Sequence, residues 1–189
     1  MRTPFSEFNF PRNVSPTASS SPTSTLRVGD GATSGAGTIG TGAVTVTSPG
    51  TLELNRPDDF TFSNAFSGTG TIAKGGANTV TIPAAVNFGG SVSLNAGTLR
   101  LNAGGTLSGA LSGPGALTTT ATLQLSGASV NSNTGLTTVS GGVLQLNKTA
   151  GVDAVGGNIT ITGTAQLALQ AAEQIPNTAT LTMLGSPTR

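Results

Sequence analysis

The sequence contains no cysteine, histidine, tryptophan or tyrosine, and only 8% of its 189 residues are charged. The missing thiols and imidazoles exclude a cysteine nucleophile, a disulfide framework, a Cys/His zinc site and a histidine base. Eight basic and seven acidic residues leave a net charge of +1 and are spread along the chain. No basic face is therefore available to release counterions from nucleic acid. No apolar run approaches the roughly 18 residues of a membrane-spanning helix. What the chain does have is 28 glycines among Ser, Thr and Asn, with aliphatic residues set between them. A chain of that composition folds only if its few apolar residues are patterned.

The first 24 residues do not share the pattern that follows. Pro4, Pro11, Pro16 and Pro22 remove backbone donors, and the Ser/Thr run between them offers nothing to bury. Residues 1–24 read as a disordered Ser/Thr/Pro-rich tail on which Phe5, Phe8 and Phe10 are exposed. They do not read as a signal peptide, because Pro4, Glu7 and Pro11 interrupt any apolar core of the usual ~7–15 residues.

From Thr25 onward, glycine-marked turns separate short alternating segments. These include Ala43–Thr47, Thr51–Leu54, Thr79–Ile82, Ser91–Leu94, Thr98–Leu101, Thr122–Leu125, Val143–Leu146, Asn158–Ile161 and Ala165–Leu169. Alternation sends successive side chains to opposite faces of a strand, and Thr and Val suit a half-buried sheet. The weak helical spacing from Gln166 to Gln174 is better read as a strand followed by a turn at Pro176. The expectation is an all-β chain.

A longer period overlies the strands. Gly50–Asn55, Gly97–Asn102 and Gly142–Asn147 repeat Gly-x-Leu-x-Leu-Asn at spacings of 47 and 45 residues. Ser67–Ile72 recurs as Ser112–Leu117, again 45 residues on, and Ser34–Ile39 is a diverged earlier form. Propeller blades have a similar period, but they carry aromatic or Trp-Asp signatures, and this chain has no Trp or Tyr. Each 45-residue unit also resembles itself at half its length. The pattern therefore predicts a right-handed parallel β-helix over residues 25–189, part of a longer one, with about two coils per unit. Leu52/Leu54, Leu99/Leu101 and Leu144/Leu146 are expected to stack inward, with Glu53, Arg100 and Gln145 outward at equivalent positions.

The run Ser67-Gly68-Thr69-Gly70-Thr71-Ile72-Ala73-Lys74, then Thr79–Ile82, then Asn87-Phe88-Gly89-Gly90 through Val92 to Gly97-Thr98-Leu99-Arg100-Leu101 resembles the autotransporter-associated β-strand repeat, or passenger-associated transport repeat. The copy from Ser112 to Leu146 keeps the glycines and Leu-x-Leu pairs but has Thr119 in place of the lysine. The resemblance covers roughly residues 25–184. It implies a β-helical stalk in the passenger of a large bacterial surface or secreted protein, associated with export and bringing no catalytic residue. The chain shows neither a leader nor the membrane barrel of a complete autotransporter, and so reads as a fragment or truncated product.

Because parallel β-helices also host polysaccharide-cleaving enzymes, the carboxylates are candidates for paired acid/base chemistry. They are Glu7, Asp30, Glu53, Asp58, Asp59, Asp153 and Glu173. Asp58 and Asp59 are adjacent, and Asn55–Phe60 reads as a turn in which Asp bonds backbone and Arg56 balances charge. Val28–Ala32 offers one Asp where calcium-binding solenoids repeat one on successive coils. Gly68-Thr69-Gly70 lacks the Lys-Ser and the following helix of a phosphate loop. Asn55, Asn102 and Asn147 read as a structural ladder or corner, in preference to a sugar-binding row.

The sequence thus assigns no catalytic, cofactor-binding or metal-binding residue. The expected function is a non-enzymatic passenger or stalk segment of a secreted or surface-anchored bacterial protein, aiding export. The alternative is a carbohydrate-active or carbohydrate-binding β-helix. Expected partners are adjoining repeats of a longer chain and cell-surface glycans or proteins, with no nucleic acid and no membrane insertion. The expected location, which rests on the resemblance, is extracellular or on the bacterial cell surface.

Overall fold

Alternation determines which side chains enter the interior, and glycine sets where the chain turns. The computed structural model describes residues 24–185. The tail expected over residues 1–24 falls outside this range except for Ser24.

Among the described residues, nineteen strands follow one another around a common axis. The first coil carries β1 (Thr25–Val28) and β2 (Val44–Val46). The second carries β3 (Thr51–Leu54), β4 (Phe60–Thr61) and β5 (Phe66–Gly68), and the third β6 (Thr71–Lys74), β7 (Thr79–Ile82) and β8 (Val86–Phe88). The fourth has β9 (Ser91–Leu94), β10 (Thr98–Leu101) and β11 (Gly105–Leu107), and the fifth β12 (Leu111–Ser112), β13 (Ala116–Thr119) and β14 (Leu123–Gly127). Then come β15 (Thr137–Val139) and β16 (Val143–Lys148), β17 (Ile159–Gly163) and β18 (Gln166–Leu169), and finally β19 (Leu181–Gly185). All nine segments read as strands from the sequence contain one.

The strands stack into three sheets, and every pairing between them is parallel. The first sheet is β1-β3-β6-β9-β12, the second β4-β7-β10-β13-β15-β17-β19, and the third β2-β5-β8-β11-β14-β16-β18. The architecture is a parallel β-solenoid of about seven turns. Its interior is a narrow aliphatic column, with Leu52, Leu54, Ile72, Leu94, Leu101, Leu117, Leu123 and Leu144 buried. Near one end Phe62, Phe66 and Phe88 fill it, with ring centroids 6.5 and 5.7 Å apart and the second pair edge-on.

Register corrects the expected phase of the repeat. In the first sheet Leu52, Ile72, Val92 and Leu111 form one inward column, with steps of 20, 20 and 19 residues. In the third sheet the steps range from 18 (Gly105 to Leu123) to 23 (Leu144 to Leu167). A step of 45–47 residues is therefore two coils plus one face. The three Gly-x-Leu-x-Leu-Asn copies consequently lie on three different sheets, as β3, β10 and β16. Their leucines do point inward, and Glu53, Arg100 and Gln145 do point outward, but not at equivalent positions.

The feature that recurs once per coil is a glycine corner at residues 50, 70, 90 and 109, between the third and first sheets. A Cβ at Gly70 would sit 2.5 Å from the Gly50 carbonyl oxygen. Cβ atoms at Gly90 and Gly109 would collide with the carbonyls of Gly70 and Gly90. Coils can approach to the strand spacing of roughly 4.8 Å at this corner only without side chains.

Beyond β12 the first sheet ends, and side-chain amides supplement the backbone bonds that still join the coils there, such as Ser132 N–H to Leu111 O. Asn131 accepts from the Leu111 N–H (2.7 Å) and donates to the Ala154 carbonyl (2.7 Å), tying three successive coils. Gln174 accepts from the Lys148 N–H at 2.7 Å and donates to the Ala172 and Val152 carbonyls. These buried amides keep satisfied a backbone that no longer forms a ladder.

Candidate functional site

Each acid weighed from the sequence has a definite place. Asp30 caps its own turn, accepting from the Thr33 and Ala32 N–H groups at 2.7 and 2.9 Å and from the Thr33 hydroxyl. These bonds hold its pKa at about 2, the backbone donors of Thr33 and Ala32 contributing most. Glu53 pairs with Arg27 on the surface of the first sheet. Asp58 takes both Nε and Nη2 of Arg56 and accepts from the Gly35 N–H at 3.1 Å. The Arg56 hydrogen bonds are the main reason its pKa falls to about 2. Arg56 also lies 4.7 Å over the Phe60 ring. The Asn55–Phe60 segment is thus the charge-balanced turn that the sequence suggested.

Asp59 points elsewhere. It accepts from the Thr79 N–H at 2.6 Å and lines an open groove of about 440 Å³ with Thr61, Thr81, Arg100 and Asn102. A smaller hollow of about 190 Å³ is lined by Ile39, Arg56, Phe60 and Phe62. The backbone bonds Gly151 N–H to Ala172 O and Ala154 N–H to Gln174 O place Asp153 and Glu173 on adjacent coils of one corner. Neither of the two grooves is lined by Asp153 or Glu173. Among the described residues no three acids gather as a metal-ligating set.

Asn55 and Asn102 directly follow β3 and β10, and Asn147 lies within β16, so the three belong to three different sheets and form no common row. Asn55 and Asn102 both bond across coils, the Asn102 side-chain oxygen accepting from the Thr120 hydroxyl at 3.3 Å. The Asn55 carbonyl accepts from the Gly31 N–H at 2.8 Å, and the Asn102 side-chain oxygen accepts from Arg100 Nε at 2.9 Å.

Sequence reading missed the two lysines, the only ones in the chain. Both are buried, Lys74 at 0% and Lys148 at 2% exposure. Lys74 stacks between Leu54 and Leu94 in an inward column. Its Nζ donates to the Gly75 and Gly76 carbonyls and to Asn78 Oδ1 at 2.7, 2.9 and 3.0 Å. Lys148 is seated on Gly127, where no side chain blocks its stem. Its Nζ bonds the Ser126 carbonyl one coil back and the Gly109 carbonyl two coils back. Burial lowers both pKa values to about 8, offset at Lys74 by Asp59. The alternation signalled them: Lys74 has the parity of Ile72, and Lys148 that of Leu144 and Leu146.

The outer face of the second sheet carries the most regular surface chemistry. Thr61, Thr81, Arg100, Thr118, Thr138, Thr160 and Thr182 form one outward column over seven strands. The corresponding column of the third sheet is mixed: Thr45, Ser67, Asn87, Thr106, Gln124, Gln145 and Ala168.

Fold and surface together define a parallel β-solenoid with polar faces that carry few charges. The chain matches no family model, no curated protein and no solved structure.

Proposed function

We propose that the chain is a non-enzymatic stalk or passenger segment of a secreted or surface-anchored bacterial protein of autotransporter type. The observation that carries this reading is the uninterrupted coil-on-coil stack. Each coil bonds the next, so length grows by about 4.8 Å per coil at constant cross-section. Such a rod spaces whatever adjoins it away from a surface. Coils that fold one upon another outside a membrane also oppose backsliding of the chain, which favours export. Its natural partners are further repeats of the same kind.

Cell fractionation with protease shaving of intact producing cells tests the reading. The expected result is a chain in the medium or on the surface, cleaved while a cytosolic marker stays intact. A chain confined to the cytosol and protected from protease would overturn it.

A second reading, carbohydrate cleavage or binding, draws on the adjacent-coil pair Asp153 and Glu173 and on the Asp59–Arg100 groove. It requires release or retention of polysaccharide by the purified chain, lost in Asp153→Asn/Glu173→Gln or in Asp59→Asn. Activity that survives all of these substitutions would refute this placement.

A further inference from the structure

The threonine face of the second sheet has an order that solubility alone does not require. Its uninterrupted part is a column of Thr118, Thr138 and Thr160 on three successive strands, with a second column two residues on formed by Thr120 and Ser140, just past the ends of β13 and β15, and Thr162 on β17. In the second of these columns each hydroxyl donates back to a carbonyl of the preceding coil. Thr120 bonds Asn102 O at 3.2 Å, Ser140 bonds Thr119 O at 3.3 Å, and Thr162 bonds Val139 O at 3.4 Å. That column is tied to the backbone of the preceding coil at each of the three steps. In the first column the hydroxyls of Thr118, Thr138 and Thr160 have no partner among the described residues, and the side chains are half-buried by their stacked neighbours. Of the charges on this sheet, Arg100 stands one strand from Thr118 in the same column and bounds the array, and Asp59 lies farther off, beside β4.

Two repeat distances follow from the sheet. Along the axis the residues of each column recur at the strand spacing, roughly 4.8 Å, and the two columns stand two residues apart along the backbone, about 6.6 Å. The axial interval lies close to an oxygen repeat of hexagonal ice. The threonine methyls favour the ordered water that fills between the hydroxyls.

We propose that this face, centred on Thr138 and Thr160, binds ice. The array is pre-organised, so adsorption costs little ordering entropy. The inference stands apart from the stalk reading and holds or fails independently of where the chain resides.

The test is partition of the purified full chain, residues 1–189, into ice grown slowly from a seed, with serum albumin as an excluded control. The wild-type chain is expected in the ice fraction, and ice crystals grown in its presence are expected to be faceted. Thr138→Lys and Thr160→Lys, each placing a hydrated cation in the array, are expected to lower retention by about tenfold or more. Thr118→Ala/Thr138→Ala/Thr160→Ala should act in the same direction without adding charge. Thr106→Lys, outward on the third sheet, should leave retention unchanged, with circular dichroism confirming the fold of every variant. Exclusion of the wild-type chain from ice overturns the proposal. So does equal loss in Thr106→Lys and Thr138→Lys, and so does retention on crystalline cellulose or chitin with none on ice.

Discussion

Raising the pH from 7.5 to 10.5 is expected to stabilise this protein. The chain has no His, Cys or Tyr, so its two lysines are the only side chains that titrate in that window. Both are buried, and both have pKa values lowered from 10.5 to about 8 by burial. A base whose folded pKa is depressed binds fewer protons when folded than when unfolded. Its penalty is therefore fully present below about pH 8, shrinks as the pH rises, and is gone above 10.5. At about 1.4 kcal/mol per pH unit, each lysine contributes up to about 3 kcal/mol across the window. The carbonyl oxygens around each Nζ moderate that figure. Urea unfolding followed by far-ultraviolet circular dichroism, extrapolated linearly to water at each pH, measures it. Stability should be nearly flat from pH 5 to 7.5 and then climb, and Lys148→Met should remove about half of the climb. A curve that is flat or falling between 8 and 10.5 would show that the ammonium groups are better solvated inside than the structure indicates.

Other perturbations probe the stack itself. Gly90→Ala would drive a methyl into the Gly70 carbonyl and to 2.8 Å from Phe88 Cζ, straining the Ser91 N–H to Gly70 O bond of 3.0 Å. A loss of about 3 kcal/mol in urea unfolding is expected, whereas Gly40→Ala, which meets nothing within 4 Å, should be neutral within about 0.5 kcal/mol. Phe88 is fully buried against Phe66, so Phe88→Ala should cost about 3–5 kcal/mol in the same assay and Phe88→Leu clearly less. Asp58 has a depressed pKa, so the stability it supplies is complete above about pH 4 and is lost as the pH falls through about 2. In Asp58→Asn that part of the acid limb should disappear from a thermal-melt series.

Much of the fold was legible because its physics is local. Leu-x-Leu alternation placed Leu52/Leu54, Leu99/Leu101 and Leu144/Leu146 in the interior without any tertiary information. The phase of the coil was not legible from the same motif, because the most conspicuous repeat in the sequence spans two coils and a face. The coil-length signal lay in Gly50, Gly70, Gly90 and Gly109, whose meaning appears only when the preceding coil's carbonyl is seen to occupy the Cβ position. At Lys74 and Lys148 parity pointed inward while residue type argued outward. Parity won because corner carbonyls two or three bonds deep accept the ammonium protons. The bonds that Asn131 and Gln174 add beyond the end of the first sheet left no pattern to read, since an isolated amide resembles any polar turn residue. The threonine columns were visible as composition, but only register collected them on one face.

The central structural claim is that coils of about 20 residues stack in parallel, bringing residues 79 positions apart onto one outward column. The absence of cysteine from the chain allows spin labels at Thr81→Cys and Thr160→Cys alone. Pulsed dipolar spectroscopy of that pair measures the stack directly. Four coil steps at roughly 4.8 Å place the two backbones about 19 Å apart, and a narrow distribution near that distance, widened only by the label arms, is expected. A broad distribution, or one centred beyond about twice that separation, would contradict the stacking of these coils.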